Sequence, residues 1–319
     1  MSEYKIVFMG TPEFAALSLE NIITSGFNVV AVVTSADKPA GRGQKIQKSA
    51  VKLMAEKYNL NILQPTNLKS LEFQENLRNL NADLFVVIAF RMLPEMIWSI
   101  PKMGTINLHA SLLPAYRGAA PINRAIMNGE TKTGITTFFI EKEIDTGDII
   151  HREEVAINED ENAGELHDKL MLLGSKIIIK TINSIFEGNY IKLNQNTLIE
   201  QGENCYLAPK IFKENCEIDW NQKTKKIYDF IRGLSPYPAA WTNIEGKNKL
   251  MLKIYLSSQI VEEHNKNPSD IFTDNKSFIK IATIDGYISL LELQLEGKKK
   301  MKTEEFLRGF KISEFIIKV

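Results

Sequence analysis

The chain has 319 residues, a length that predicts two domains at roughly 100–200 residues per domain. Hydrophobic residues make up 44% of the chain and charged residues 24%, which is the balance of a soluble globular protein. The 39 Lys and Arg residues equal the 39 Asp and Glu residues in number. Net charge therefore provides no attraction for nucleic acid, and any such contact must come from a local basic patch.

Cysteine usage and hydropathy exclude further classes of protein. Cys205 and Cys216 are too few for a disulfide scaffold, and their spacing matches no zinc motif, so we interpret both as packing residues. The longest apolar runs are too short to span a bilayer. The chain begins directly in a strand-like run, without the pattern of a signal peptide. We therefore expect a cytoplasmic protein with no membrane contact, and the lack of a long exposed apolar helix favours a monomer.

The first part of the chain alternates short β-branched runs with helical patterns, as βαβ units do. The predicted strands are Lys5–Met9, Asn28–Thr34, Asn61–Leu63, Leu84–Phe90 and Thr105–His109, followed by a hairpin at Ile135–Ile140 and Ile149–Val155. The predicted helices are a segment through Leu17–Ile23, then Val51–Lys57, Leu71–Leu80, Pro121–Met127 and Ala163–Phe186. This order predicts an α/β domain with a doubly wound, mostly parallel sheet of the Rossmann-like type.

The chain changes character after Gly188. Tyr190–Lys210 is polar, rich in Asn and Gln and without sustained periodicity, which indicates a connector. Short alternating segments beyond it predict a small β-barrel or sandwich; they are Leu250–Leu256, Ser277–Thr283 and Tyr287–Gln294. We predict a first domain over residues 1–189, a linker over 190–208 and a second domain over 209–319.

The loop after the first strand does not have the pattern of a dinucleotide site. Gly10 stands alone, with no G-x-G-x-x-G, and Pro12-Glu13 occupies the space that a pyrophosphate needs. No P-loop pattern occurs either. The predicted sheet therefore binds something other than a common nucleotide cofactor.

Asn107 and His109 are candidate catalytic residues. Alternate residues of a strand share a face, so both side chains point the same way at the carboxyl end of a predicted parallel strand. An amide can stabilise a developing oxyanion and an imidazole can move protons, which together suit acyl transfer. The alternative is a local hydrogen-bonding pair without a catalytic role.

Asp145 lies in the turn Glu141–Ile149 between the two strands of the predicted hairpin. Facing the imidazole, its carboxylate would orient His109 or raise its basicity. From spacing alone, an Asx-turn residue leading into Gly147 is the competing interpretation. A divalent metal bound by His109, Asp145 and Asp148 is a further alternative that no ligand spacing supports.

Lys38–Lys45 is a local cationic segment with two glycines around Arg42, followed by Lys48 and Lys52. It has no apolar anchor, so we expect it to be mobile and suited to contacts with phosphate groups. An ordinary solvated surface loop is the alternative.

Taken together, these motifs resemble the methionyl-tRNA formyltransferase family. The resemblance is densest in NLHASLLPAYRGAAP, at Asn107–Pro121, and in DTGD, at Asp145–Asp148, a pair that is specific for transferases and hydrolases that use formyltetrahydrofolate. It extends over nearly the whole chain through four further stretches, Ile6–Phe14, Asp37–Gly43, Ile218–Trp220 and Gly297–Met301.

The resemblance implies transfer of a formyl group from 10-formyltetrahydrofolate to the α-amine of methionine on initiator tRNA, without a metal. It implies a formyltransferase fold and a C-terminal OB-like barrel that grips the tRNA. By match, the implied residues are the catalytic trio Asn107, His109 and Asp145, the folate-contacting Ser111, Leu112, Leu113 and Pro114, and the tRNA-contacting Arg42 and Lys45.

One departure from the family pattern lies at Ala89–Pro94, which replaces an Ala-Tyr-Gly-type segment that lines the pterin pocket. Several related functions also compete. A glycinamide ribonucleotide formyltransferase ends near residue 200, and a formyltetrahydrofolate hydrolase carries an N-terminal regulatory domain. A sugar-nucleotide formyltransferase remains open because it also carries a barrel-like extension. A non-enzymatic RNA-binding module would bind no folate.

Overall fold

The computed structural model describes residues 3–40 and 45–317. By its contacts the chain divides into two compact units. The first unit contains Met1–Gly118, Thr133–Val155 and Asp168–Leu207, and the second contains Ala119–Lys132, Ala156–His167 and Ala208–Val319. The first is built on a mostly parallel sheet and the second on an antiparallel sheet.

The strands before residue 210 are β1 (Lys5–Gly10), β2 (Asn28–Val33), β3 (Lys38–Ala40), β4 (Lys45–Gln47), β5 (Ile62–Leu63), β6 (Leu84–Ile88), β7 (Thr105–His109), β8 (Arg117–Gly118), β9 (Lys132–Phe139), β10 (Ile149–Ala156) and β11 (Leu207–Ala208). The helices are α1 (Glu13–Thr24), α2 (Ala50–Lys57), α3 (Leu71–Asn79), α4 (Glu95–Trp98), α5 (Pro121–Met127), α6 (Ala163–Phe186) and α7 (Gln195–Glu200). Seven of these strands form one sheet in the order β10-β9-β7-β6-β1-β2-β5.

The order of this sheet reverses at β1. From β1 the chain pairs β2 and then β5 on one side, and returns to pair β6 and then β7 on the other, all in parallel. The predicted doubly wound, mostly parallel sheet is confirmed. Every residue of β6 is buried, as expected for a central strand whose two faces are both covered. The point of reversal lies between β1 and β6, so their carboxyl ends border the crevice where such sheets bind ligands.

The cationic segment begins with β3 and ends where β4 begins, and these two short strands pair antiparallel. Residues 41–44, including Arg42, lie outside the described residues, as does the side chain of Lys45. The expectation that this segment is mobile therefore stays a prediction.

The predicted linker contains regular structure. Helix α7 lies within it, with Gln195 and Leu198 buried, and residues up to Leu207 belong to the first unit. A helix of six residues with two buried side chains is too short to give a detectable periodicity. The connector prediction missed α7 because the helix is this short.

The second unit contains the strands β12 (Ala240–Glu245), β13 (Lys249–Val261), β14 (Ile271–Thr273), β15 (Ile279–Ala282), β16 (Gly286–Leu295) and β17 (Met301–Lys302), with the helices α8 (Thr224–Leu234) and α9 (Thr303–Leu307) and two 3-10 turns, Lys213–Cys216 and Ile312–Glu314. Its antiparallel sheet runs β12-β13-β16-β15-β14, with β17 paired to β16. This curled half-barrel is consistent with the predicted OB-like domain. Its core includes Trp220, whose Nε1–H donates to Thr242 Oγ1 at 3.1 Å.

Two segments from the first 189 residues pack within the second unit. Met127 of α5 joins the apolar core of that unit, and the Asn123 side chain donates to the carbonyl oxygen of Gly233 on α8 at 2.8 Å. The segment of residues 156–167 is bound through Glu161, whose carbonyl oxygen accepts a hydrogen bond of 2.8 Å from the Arg232 guanidinium. These hydrogen bonds join residues 71 and 110 positions apart, so local sequence patterns do not reveal them. The limits 1–189, 190–208 and 209–319 stay a prediction.

No helix in the described part of the chain is both long enough and apolar enough to cross a membrane.

Candidate active site

The candidate site is built on β7, which lies between β6 and β9 in the sheet. His109 is the last residue of β7, at its carboxyl end, and only 7% of its surface is exposed. Asn107 lies two residues earlier on the same face of the strand and is half-buried. Among the described residues, the Asn107 amide forms no hydrogen bond, so it is available to a bound molecule.

The loop after β7 fixes the orientation of the imidazole. His109 Nε2 lies 2.8 Å from the carbonyl oxygen of Tyr116. A carbonyl oxygen only accepts, so Nε2 carries the hydrogen and donates it. This leaves Nδ1 as the ring nitrogen that can take up a proton. The Tyr116 backbone has a left-handed φ of 63°, which turns the chain back toward the end of the strand.

Asp145 approaches the imidazole from the turn between β9 and β10. Its Oδ2 lies 3.8 Å from His109 Nδ1 and accepts a hydrogen bond of 2.9 Å from the Gly118 N–H. Its side chain is 14% exposed, so the carboxylate is partly shielded from water. The structure thus places the predicted imidazole and carboxylate side by side, although the two residues lie far apart in sequence.

The segment Ser111–Pro114 is held in place by hydrogen bonds to Ala115 and Thr136. The Ser111 hydroxyl donates to the Ala115 carbonyl oxygen at 2.6 Å, and the Leu113 N–H donates to Thr136 Oγ1 at 3.0 Å. Of the four predicted folate contacts, only the Leu112 side chain is more than marginally exposed; the other three are buried. Any contact with a ligand from this segment is therefore restricted to Leu112 and to backbone groups.

The segment that departs from the family pattern follows β6, at the point where the strand order reverses. Ala89 has a left-handed φ of 47°. The Arg91 guanidinium donates to the carbonyl oxygens of Pro65 and Thr66, and it lies 5.6 Å from the centre of the Phe90 ring. Arg91 therefore ties the loop after β6 to the loop after β5 at the same end of the sheet.

The lysines that follow the cationic segment are paired with carboxylates. Lys52 Nζ lies 2.6 Å from Asp37 Oδ2, and Lys48 Nζ lies 2.8 Å from Glu56 Oε2. The hydrogen bond from Lys52 lowers the pKa of the Asp37 carboxyl below its usual value. Two of the positive charges counted in the sequence are thus largely neutralised by their neighbours.

Metal ligation finds no support in the geometry. Within residues 3–40 and 45–317, no group of three or more His, Cys, Asp or Glu side chains could hold a metal ion. Asp148, one member of the alternative metal set, instead accepts a hydrogen bond of 3.2 Å from the Asn194 amide.

Sequence patterns missed the groups that arrange the site. Tyr116 and Gly118 act through their backbone atoms, which no side-chain motif identifies, although both lie within the quoted motif. Gln195 also contacts the Asp145 turn, from the segment interpreted as a connector. Only the position of its side chain in the folded protein reveals that contact.

Comparison with known families gives a match to each part of the chain. A family model described as formyl transferase matches residues 4–182, and one described as formyl transferase, C-terminal domain, matches residues 210–311. The chain is 52% identical over 315 residues to the methionyl-tRNA formyltransferase of Bacteroides fragilis, covering 98% of this chain and 97% of that protein. It is 53% identical over 315 residues to that of Flavobacterium johnsoniae, covering 98% of both.

Solved structures show a similar fold at low identity. An N-formyltransferase from Helicobacter canadensis, in complex with folinic acid and dTDP-3-aminofucose, has a TM-score of 0.63 and 22% identity over 93% of this chain and all of that one. HypX from Aquifex aeolicus, in complex with tetrahydrofolic acid, has a TM-score of 0.63 and 17% identity over 97% of this chain and 48% of that one. At such identities the likeness describes the fold alone.

Proposed function

The chain belongs to the methionyl-tRNA formyltransferase family, and from that premise we propose that Asn107, His109 and Asp145 carry out its reaction. The enzyme transfers the formyl group of 10-formyltetrahydrofolate to the α-amino group of methionyl initiator tRNA, giving N-formylmethionyl-tRNA for translation initiation. The observation that supports this assignment best is the approach of Asp145 Oδ2 to within 3.8 Å of His109 Nδ1, at the carboxyl end of β7.

In the proposed mechanism, Asn107 stabilises the negative charge that develops during transfer. The methionyl amine attacks the formyl carbon, and a carbon–nitrogen bond forms as the carbonyl oxygen gains charge. The Asn107 amide, which has no hydrogen bond to another described residue, donates one to this oxygen. One such donor typically contributes about 3–4 kcal/mol to lowering the barrier.

His109 moves the proton between the two nitrogens. Nε2–H remains bonded to the Tyr116 carbonyl oxygen, so Nδ1 accepts the proton that the attacking amine loses. Asp145 lies next to Nδ1, and its negative charge stabilises the imidazolium ion while it exists. As the bond from the formyl carbon to the folate nitrogen breaks, Nδ1 returns a proton to that nitrogen. Protons and electrons balance without a metal or a redox partner.

The formyl donor is proposed to contact Ser111, Leu112, Leu113 and Pro114. Because the Ser111 hydroxyl is already bonded to Ala115, the contacts in this proposal come from the Leu112 side chain and from backbone groups of the segment. The fixed conformation of the segment supports this role, because a segment that is already ordered loses little conformational entropy when a ligand binds.

Charged initiator tRNA is the formyl acceptor, and its proposed contacts are Arg42 and Lys45 together with the second unit. We also propose that the enzyme is a monomer and that it works in the cytoplasm without a membrane partner. Gel filtration tests the oligomeric state, since a monomer of 36.2 kDa is expected.

The deciding experiment compares substrates and one variant. With 10-formyltetrahydrofolate, we expect the protein to formylate charged initiator tRNA even in the presence of an aminosugar nucleotide as competitor. Asn107→Ala should lower kcat by about 10²–10³-fold while folate affinity stays near normal. The exposed Asn196→Ala is the matched control and should retain full activity. An Asn107→Ala enzyme with the parent kcat would refute the assigned role, and preferential formylation of the sugar would refute the acceptor.

A further inference from the structure

We propose that Gln195 is a positioning residue for this reaction, because its amide joins the turn that carries Asp145 to the loop that follows His109. The inference rests on the proposed roles of His109 and Asp145. Gln195 is the first residue of α7, inside the predicted linker, and only 1% of its surface is exposed.

The amide nitrogen of Gln195 holds the Asp145 turn. Nε2 donates one hydrogen bond to the carbonyl oxygen of Asp145 at 2.9 Å and another to the carbonyl oxygen of Gly147 at 2.8 Å. Asp145 has a left-handed φ of 56°, a conformation that a non-glycine residue keeps only when its surroundings hold it. The two bonds hold the backbone on both sides of Thr146, and this fixes the direction in which the Asp145 carboxylate points.

The amide oxygen of Gln195 holds the opposite side of the site. Oε1 accepts two hydrogen bonds from the Arg117 guanidinium, from Nε at 3.0 Å and from Nη2 at 2.6 Å. Arg117 lies between Tyr116 and Gly118 in the chain. The Tyr116 carbonyl oxygen accepts from the His109 imidazole, and the Gly118 N–H donates to the Asp145 carboxylate. One amide therefore holds both sides of the gap between His109 and Asp145.

The hydrogen-bonding capacity of the Gln195 amide is fully used. Its two N–H groups and both acceptor sites of its oxygen are occupied by three protein residues, so none is left for a substrate. Its place is also fixed by packing, because Leu198 on the same helix belongs to an apolar cluster with Leu113 and Ile149. These contacts give Gln195 a role in placing other groups rather than in touching the reacting atoms.

Two variants distinguish the hydrogen bonds to the Asp145 turn from those that Gln195 accepts from Arg117. Gln195→Met keeps the length of the side chain and removes all four hydrogen bonds. Gln195→Glu keeps an acceptor for Arg117 and loses both donors to the Asp145 turn, so it tests the proposal even if the methionine variant folds poorly. We expect both to lower kcat about 10- to 100-fold, since a small misplacement of a catalytic group has an effect of this size. KM for the formyl donor and for charged tRNA should stay within about twofold.

Two control variants distinguish this effect from a loss of stability. Gln74 is also buried, at 7% exposure, and its amide donates to the Lys69 carbonyl oxygen at 3.2 Å, away from the site. Gln74→Met should lower the melting temperature and leave kcat unchanged. Gln201 caps the other end of α7 and is exposed, so Gln201→Met should change neither quantity.

A double variant tests whether Gln195 acts through Asp145. If it does, Gln195→Glu combined with Asp145→Asn should be no slower than Asp145→Asn alone, because the glutamate keeps the acceptor for Arg117 and the carboxylate that its missing donors would position is already lost. An additive loss in the double variant, or a normal kcat in both Gln195 variants beside a slow Asp145→Asn enzyme, overturns the role of Gln195 only. A normal kcat in Asp145→Asn itself would overturn the proposed catalytic site instead.

Discussion

At the scale of single residues, Gly147 leaves no room for a side chain in the turn that carries Asp145. A Cβ atom at this position would lie 1.8 Å from the Phe139 carbonyl oxygen, which belongs to the backbone and cannot rotate away. Gly147→Ala should therefore displace the turn, lower the free energy of unfolding by about 1–3 kcal/mol and reduce kcat. Denaturant titration together with steady-state kinetics measures both effects.

Gly309 provides the matched control for this substitution. A Cβ at Gly309 meets no atom of the described residues within 4 Å, and the residue lies outside the left-handed region. Gly309→Ala should leave stability and kcat close to those of the parent. Equal stability of the two alanine variants would contradict the steric account of the Asp145 turn.

The residue types proposed for the site could be read from the sequence, but the contacts that hold them could not. Asn107 and His109 are two residues apart on one predicted strand, so their common face follows from the strand alone. The pairing of Asp145 with His109 joins residues far apart in the chain, so the sequence pattern left it open beside an Asx turn, and only the resemblance favoured it. Tyr116 and Gln195 support the pair through a backbone oxygen and a buried amide, which leave no pattern in the sequence.

At the scale of elements, α2 anchors the β3–β4 pair. Lys52 on α2 donates to Asp37, which immediately precedes β3, and to Gln64 Oε1 at 2.9 Å, just after β5. Lys52→Met removes this anchor, and if the cationic segment contacts tRNA, we expect a higher KM for charged tRNA with little change in kcat. The control is Lys48→Met, which breaks only the exposed pair with Glu56 and should have little effect.

An equal KM for charged tRNA in the Lys52→Met and Lys48→Met enzymes would contradict this role of Lys52. In that case the ion pair at Asp37 would be a local surface contact without influence on the acceptor.

Element prediction succeeded best where burial was strong. Strand β6 was found because it is an apolar run with both faces covered, whereas β5 was found although it is short and half-buried. Helix α7 and the two three-residue strands β3 and β4 were missed, since each is too short to give a periodic signal.

At the scale of the whole molecule, the balance of 39 basic and 39 acidic residues makes tRNA affinity dependent on local charge. Each phosphate that a cationic side chain neutralises adds to the salt dependence of binding. Arg42→Ala should therefore raise KM for charged tRNA and flatten its dependence on salt concentration, with KM for the formyl donor unchanged. Steady-state titration at several salt concentrations measures this, and identical salt slopes in variant and parent would remove Arg42 from the tRNA contact.

The division of the chain into units follows packing rather than sequence order. The change of composition after Gly188 predicted one boundary, yet α5 packs in the second unit through Met127, while α7 lies in the first. Such long-range packing depends on complementary surfaces that are assembled only on folding, so a scan of local composition does not detect it.

The proton-transfer role of His109 is tested most directly by the single-turnover rate of formyl transfer by His109→Gln. The glutamine amide can still donate to the Tyr116 carbonyl oxygen, but it cannot accept and return a proton as Nδ1 does. The proposed mechanism predicts a rate lower by about 10²–10⁴-fold with unchanged affinity for 10-formyltetrahydrofolate. Transfer at the parent rate with both substrates saturating would contradict it.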